Sequence, residues 1–155
     1  MKTKTCCFIG HRNICETDEL RARLSDVIEK LITFENVGTF LFGSKSRFND
    51  LCHETVTASK EKHPHIKRIY VRAEYPYIGD DYRAYLLKDY EDTVYPDGVF
   101  GAGRAAYVER NREMIRESEI CVFYYNKEML PDKRKSGTAI AFDYAEKLKK
   151  QIINL

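Results

Sequence analysis

The stretch Cys6-Cys7-Phe8-Ile9-Gly10-His11-Arg12 constrains the fold more than any other part of the chain. Four residues of the kind found in cores run into a glycine, and two side chains able to donate to an anion follow it. An apolar run that ends in glycine and leads into a helical pattern reads as the first strand of an α/β sheet. The strand is expected over residues 5–9. Its loop then lies at the carboxyl edge of the sheet, where open α/β proteins bind ligands.

The same unit recurs along the chain. Thr17 with Asp18 and Glu19 has the composition of a helix start, and Leu20, Leu24, Val27, Ile28 and Leu31 follow at helical spacing until Asn36 and Gly38. A second strand, residues 39–42, ends in Gly43-Ser44, and a helix runs through Leu51, Thr55 and Ala58 until His63-Pro64 breaks it. A third strand is expected over residues 66–71 and a short, tyrosine-bearing helix over 82–90. Residues 92–95 read as a further strand or an extended segment, and Pro96-Asp97-Gly98 as a turn. The helix carrying Tyr107, Arg110, Met114 and Ile115 feeds the strongest strand signal, Ile120-Cys121-Val122-Phe123-Tyr124-Tyr125. Ser136-Gly137-Thr138 opens a helix with a small-residue face, and Ile152-Ile153 suggests a last strand. Repeated strand–helix alternation predicts a Rossmann-like, three-layer α/β fold with a mostly parallel central sheet. No composition break divides residues 1–155, so a single domain is expected.

Composition limits the function classes. Lysine and arginine number 26 against 24 aspartates and glutamates, a net charge of +2, which gives no strong nucleic-acid signal. Lys127, Lys133, Arg134 and Lys135 form a basic cluster that reads as a solvated loop. The five cysteines are odd in number and mostly sit in apolar runs, the pattern of reduced core thiols. Cys6 and Cys7 should point to opposite faces of their strand, no spacing resembles a metal site, and no cofactor is expected. Without a secretory h-region or an apolar run of membrane length, the expected location is the cytoplasm, away from the membrane.

The candidate chemistry lies in loops. Ser136-Gly137-Thr138 has two readings: a cradle for phosphate at a helix N-terminus, or a simple N-cap by Ser136 or Thr138. Arg12 pairs either with phosphate or with an acidic side chain of another helix, and His11 is either a proton donor or a surface residue. Gly43-Ser44 accommodates phosphate or merely turns the chain. On the helix before the strongest strand, Glu109 is a candidate acid/base group, and Arg110 with Asn111 a candidate ligand-holding pair, against the reading of an ordinary solvated face. Tyr75, Tyr77, Tyr82, Tyr95 and Tyr107 stack on a base or pack with their hydroxyls at the surface. Three glycine-bearing loops at one sheet edge favour a nucleotide or phosphosugar-containing small molecule. A phosphate loop with Gly-Lys-Ser/Thr and a full dinucleotide fingerprint are both missing.

Taken together, Phe8-Ile9-Gly10-His11-Arg12, Phe42-Gly43-Ser44 with Phe48-Asn49-Asp50, Arg110-Asn111 with Met114, and Ser136-Gly137-Thr138 with Tyr144-Ala145 resemble the SLOG superfamily. That group includes DprA and the LOG enzymes, and the resemblance points within it to the small YpsA-like bacterial branch. It covers nearly the whole chain, to Ile152-Ile153-Asn154. It implies a Rossmann-like fold, a nucleotide or nucleotide-derived ligand, and phosphate contacts at Gly10, Gly43 and Gly137-Thr138, with Arg110 a further contact. In LOG-like phosphoribohydrolases a glutamate follows the Gly-Thr motif and an Arg-Lys pair lies upstream; here those places hold Ala141 and Arg110-Asn111. Arg-Asn with a Gly-Thr loop is itself expected in the YpsA-like branch.

The leading expectation is therefore binding or sensing of a nucleotide. An alternative is hydrolysis of a nucleoside 5′-monophosphate at its N-glycosidic bond, which needs charge stabilisation and acid/base help at the ribose. That role would fall to Glu109, with Asp50 as another carboxylate. A third reading is a non-catalytic protein-interaction module, with a homodimer or higher homo-oligomer formed through an exposed apolar helix.

Overall fold

The computed structural model describes residues 2–126 and 136–155. Strand β1 (Lys4–Gly10) is followed by α1 (Asp18–Thr33), β2 (Val37–Phe42), α2 (Arg47–Lys60), β3 (Lys67–Val71), α3 (Asp80–Leu86) and β4 (Asp92–Val94). Two single 3₁₀ turns (Asp97–Val99 and Gly103–Ala105) then lead into α4 (Ala106–Glu117), β5 (Ile120–Tyr124), α5 (Gly137–Lys147) and β6 (Gln151–Asn154). The six strands lie in the order β4-β3-β2-β1-β5-β6, and every pairing is parallel. The chain winds outward from β1 to β4, then returns to lay β5 on the other side of β1. That reversal makes β1 and β5 the point where the winding changes direction, and doubly wound sheets take ligands at the carboxyl edge of their strands.

Strand alternation sorts the core into two layers. Cys6 and Phe8 face α1 and α2, and pack with Phe40, Phe42, Leu24, Ile28 and Phe48. Phe8 stacks on Phe40 and Phe42 at 5.8 and 5.3 Å between ring centres. Cys7 and Ile9 face α4 and α5, and pack with Met114, Ile115, Phe123, Ala141 and Ala145. Cys6 and Cys7 thus lie on opposite faces, as the strand period requires. Residues 6–9 are buried throughout, as a strand covered by helices on both faces must be. Ala141 sits in this core, and a carboxylate there would be buried among apolar groups.

Local signals explain most element boundaries. Thr17 Oγ1 accepts from the Leu20 amide, 3.1 Å away, and caps α1; Ser46 Oγ does the same for Asn49, at 3.0 Å, and caps α2. Asn36 takes a left-handed φ of 57° just past α1, as expected of a terminator. Gly38 does not end the helix but lies inside β2, which begins two residues before the expected position. A Cβ on Gly38 would stand 2.9 Å from Thr3 Cβ, so this glycine admits a crossing chain rather than turning its own. α3 starts right after Gly79 and ends at Leu86, earlier than the tyrosine pattern suggests. Residues 92–94 are a strand, because their backbone completes the ladder along β3. The basic cluster Lys127, Lys133, Arg134 and Lys135 lies outside the described residues. Among those described, no helix is long and apolar enough to cross a membrane.

Candidate functional site

The carboxyl ends of β1, β2 and β3, with the N-terminal turns of α4 and α5, enclose a cleft of about 440 Å³. Of the residues singled out from the sequence, Gly10, His11, Arg12, Gly43, Ser44, Arg110, Asn111, Ser136, Gly137 and Thr138 line it. Asp50 instead borders an adjoining groove with Ser44, Lys45 and Tyr82. Glu109 lines neither, and its carboxylate pairs with Arg112 one turn on, at 2.9 Å. Tyr75, Tyr82 and Tyr107 reach the cleft, while Tyr77 and Tyr95 border a groove on the outer side of Arg72.

Each wall has its own support. The β1–α1 loop is tied to α2 twice: the Arg47 amide donates to the Arg12 carbonyl at 3.0 Å, and the Arg47 guanidinium grips Glu16 through two bonds of 2.7 and 2.5 Å. Those bonds, aided by Arg21 and opposed by desolvation, hold the Glu16 carboxyl down at about 2. The Arg12 side chain is exposed and has no hydrogen-bond or ion-pair partner among the described residues. In the β2–α2 loop, the Gly43 amide donates to Asn49 Oδ1 at 3.3 Å, and the hydroxyls of Ser44 and Ser46 share a bond of 2.9 Å. At α5, Ser136 Oγ accepts from the Ala139 amide at 3.0 Å, so Ser136 is the N-cap and leaves Gly137 and Thr138 as the first helical residues.

Two glycines owe their identity to the protein's own packing. A Cβ on Gly10 would lie 2.6 Å from Phe48 Cγ, inside the ring's contact distance. A Cβ on Gly43 would lie 2.6 Å from Arg110 Cδ and 2.8 Å from Met114 Sδ. At Gly137 nothing stands within 4 Å, so there the missing side chain leaves open space.

Arg110 is the most constrained charge in the cleft. It is 4% exposed, its Nη1 donates to the Gly43 carbonyl, its Nε donates to Asn111 Oδ1 at 3.1 Å, and its guanidinium lies over the Tyr107 ring, 5.5 Å from the centre. Burial lowers its pKa from the usual arginine value, yet arginine stays charged in proteins. Arg72, at 7% exposed, donates through Nε to the Tyr75 carbonyl at 3.2 Å and through Nη1 to Thr93 Oγ1 at 3.0 Å. Burial, and then the charge of Arg83, lowers its pKa as well. Neither has a carboxylate partner among the described residues, whereas Arg21, Arg47, Arg68, Arg83, Arg112 and Arg116 each have one within 3.4 Å. Fully buried cations are ordinarily matched by anions. The two arginines buried among the described residues, both without one there, line the same cleft.

Arg72 and Lys45 were not expected here from the sequence, nor were Tyr70 and Glu74. Their signal was position: Arg72 and Glu74 follow β3 at its carboxyl end, just as Gly10 and Gly43 end β1 and β2. Tyr75, next in line, has a left-handed φ of 60°, a strained state for a tyrosine, with the Arg72 bond to its carbonyl holding it. Glu74 is the one carboxylate that lines the cleft among the described residues; it accepts from the Tyr107 hydroxyl and pushes that phenol's pKa up.

His11 is held as a neutral base. Its Nε2 accepts from the Asn126 amide at 3.0 Å, which requires that nitrogen to carry no proton. Burial lowers its pKa from the usual 6.5. The unfolded chain binds a proton at the ordinary value and the folded one does not, so His11 contributes stability above pH 6.5 that is lost as pH falls through the lowered value. A nitrogen-15 NMR titration should find the Nδ1–H tautomer at neutral pH and a midpoint below 6.5. A midpoint at or above 6.5 would remove His11 from this arrangement.

The cleft can therefore neutralise an anion with Arg12, Lys45, Arg72 and Arg110, and supply hydroxyl and backbone donors from Ser44 and the α5 N-terminus. No family model matches the chain and no curated protein matches it, so the fold and the cleft are the grounds on which its function is read.

Proposed function

We propose that the protein binds or senses a nucleotide or nucleotide-derived ligand, with its phosphate in the cleft at the ends of β1, β2 and β3. A Rossmann-like sheet is compatible with such a ligand, and the SLOG-like motifs of the YpsA-like branch agree with it. The observation that carries the reading is the pair of buried arginines without carboxylate partners among the described residues, Arg72 and Arg110. A phosphate would supply the missing charge through charge-assisted bonds. Arg12 would close over it from the exposed side, and Gly137 and Thr138 would offer free amides. Hydrolysis by Glu109 has less support, since that carboxylate is paired with Arg112 away from the cleft.

Titration calorimetry with nucleoside mono-, di- and triphosphates tests the proposal. At least one should bind, with an affinity that falls as salt rises. Arg12→Ala should weaken it about tenfold to a hundredfold, the worth of one hydrogen bond to a charged group, with an unchanged unfolding midpoint because the Arg12 side chain has no partner among the described residues. No binding across the panel would sink the proposal.

A further inference from the structure

Glu74 is out of place in a cleft built for an anion. Its neighbours there are Arg12, Lys45, Arg72 and Arg110, and a carboxylate among them repels any phosphate they attract. Its position is nevertheless fixed. Oε1 accepts from the Tyr107 hydroxyl, and the Tyr107 ring lies against the Arg110 guanidinium. One tyrosine thus spaces the carboxylate from the buried cation. Among the described residues, the cation paired with Oε2 is Lys45, whose Nζ is 4.0 Å away and beyond hydrogen-bond distance. The side chain is 39% exposed, so that oxygen keeps free acceptor capacity at the wall of the cleft.

An ionised carboxylate can only accept hydrogen bonds. The part of a ligand that meets Glu74 must therefore be a hydrogen-bond donor, as a hydroxyl is, while an anion suits the part that meets Arg110. A pentose phosphate with vicinal hydroxyls offers both, one sugar ring apart. Acidic side chains take this role on ribose hydroxyls in dinucleotide-binding folds, where they also exclude a phosphate on the same hydroxyl. Building on the phosphate site proposed above, we infer that Glu74 selects the sugar: it accepts from the ribose hydroxyls, so the ligand class is a ribose phosphate or ribonucleotide and not its deoxyribose counterpart. Tyr107 is the positioning residue that holds Glu74 for this contact.

Base-free probes isolate this claim. Calorimetry on the wild-type chain should find ribose 5-phosphate bound about tenfold or more tightly than 2-deoxyribose 5-phosphate, the value of one hydrogen bond to a charged acceptor. In Glu74→Ala and Glu74→Gln the two sugars should bind within about twofold of each other, with pyrophosphate affinity unchanged or raised because a repelling charge has gone. Tyr107→Phe should lose part of the preference while it keeps pyrophosphate binding. Glu74→Gln retains an acceptor for Tyr107 and guards against a folding defect in the alanine variant. Pyrophosphate binding without a ribose preference, or a preference that survives both Glu74 variants, overturns the inference and leaves the anion site standing. No binding of pyrophosphate or of either sugar phosphate overturns the inference, and if no nucleotide of the panel binds either, the phosphate site falls with it.

Discussion

Gly10→Ala is expected to destabilise the fold by about 1–3 kcal/mol, the usual range for one surplus methyl in a filled core. The new methyl would stand 2.6 Å from Phe48 Cγ and 2.9 Å from its Cβ. Phe48 is fully buried, packs against Tyr124 with 5.7 Å between ring centres, and belongs to the larger core layer. The ring is held by buried neighbours, so the strain is expected to pass to β1 or to the first turn of α2. Urea unfolding would measure the loss. Phe48→Leu in the same chain should recover part of it, since a smaller side chain makes room for the methyl. Phe48→Ala alone should cost about 3–5 kcal/mol through the cavity it leaves. Additive effects of Gly10→Ala and Phe48→Leu would show that the two positions do not compete for one volume. Because Phe48 follows Ser46 and Arg47 at the start of α2, strain there would also move the cleft wall, and ligand affinity should fall with stability.

The second large effect separates stability from binding. Arg110→Met should leave the unfolding free energy within about 1–2 kcal/mol of wild type, or raise it, because a buried charge is replaced by an apolar chain of similar reach. Phosphate-dependent binding should fall by about 2–5 kcal/mol, the cost of removing one partner of a buried charged contact. The Gly43 carbonyl would lose the Nη1 bond, but it lies at a strand end beside a cleft that water can enter. Calorimetry with the tightest nucleotide of the panel and urea unfolding on the same sample read both quantities. If binding survives while stability drops, Arg110 serves the fold, as a strut between α4 and the β2–α2 loop.

Both effects rest on glycines that the sequence marked and whose reason only packing supplied. Gly10 and Gly43 end strands before polar loops, which suffices to read them as places where a side chain cannot be tolerated. A phosphate was the expected neighbour. In the folded chain the neighbours are Phe48 for Gly10, and Arg110 with Met114 for Gly43. These contacts join residues far apart in sequence, and no local pattern encodes them. Gly38 shows the same limit, since Thr3 rather than a helix end explains it. Ser136 shows the opposite case: its hydroxyl answers a need four residues long, and the N-cap reading follows from local chemistry.

The sequence by itself determined the alternation of strands and helices, the opposite facing of Cys6 and Cys7, and the loops that meet at one sheet edge. Those features depend on residue periodicity and on caps, which act over a few residues. Tertiary structure decided which side chains share the cleft. It brought Arg72 and Glu74 to the glycine-bearing loops from the end of β3, buried Arg110 without a carboxylate partner among the described residues, and drew Glu109 away to Arg112. The reason is physical: the preference of a charge for one partner over another depends on distance and burial, and both are fixed only when the sheet closes its layers.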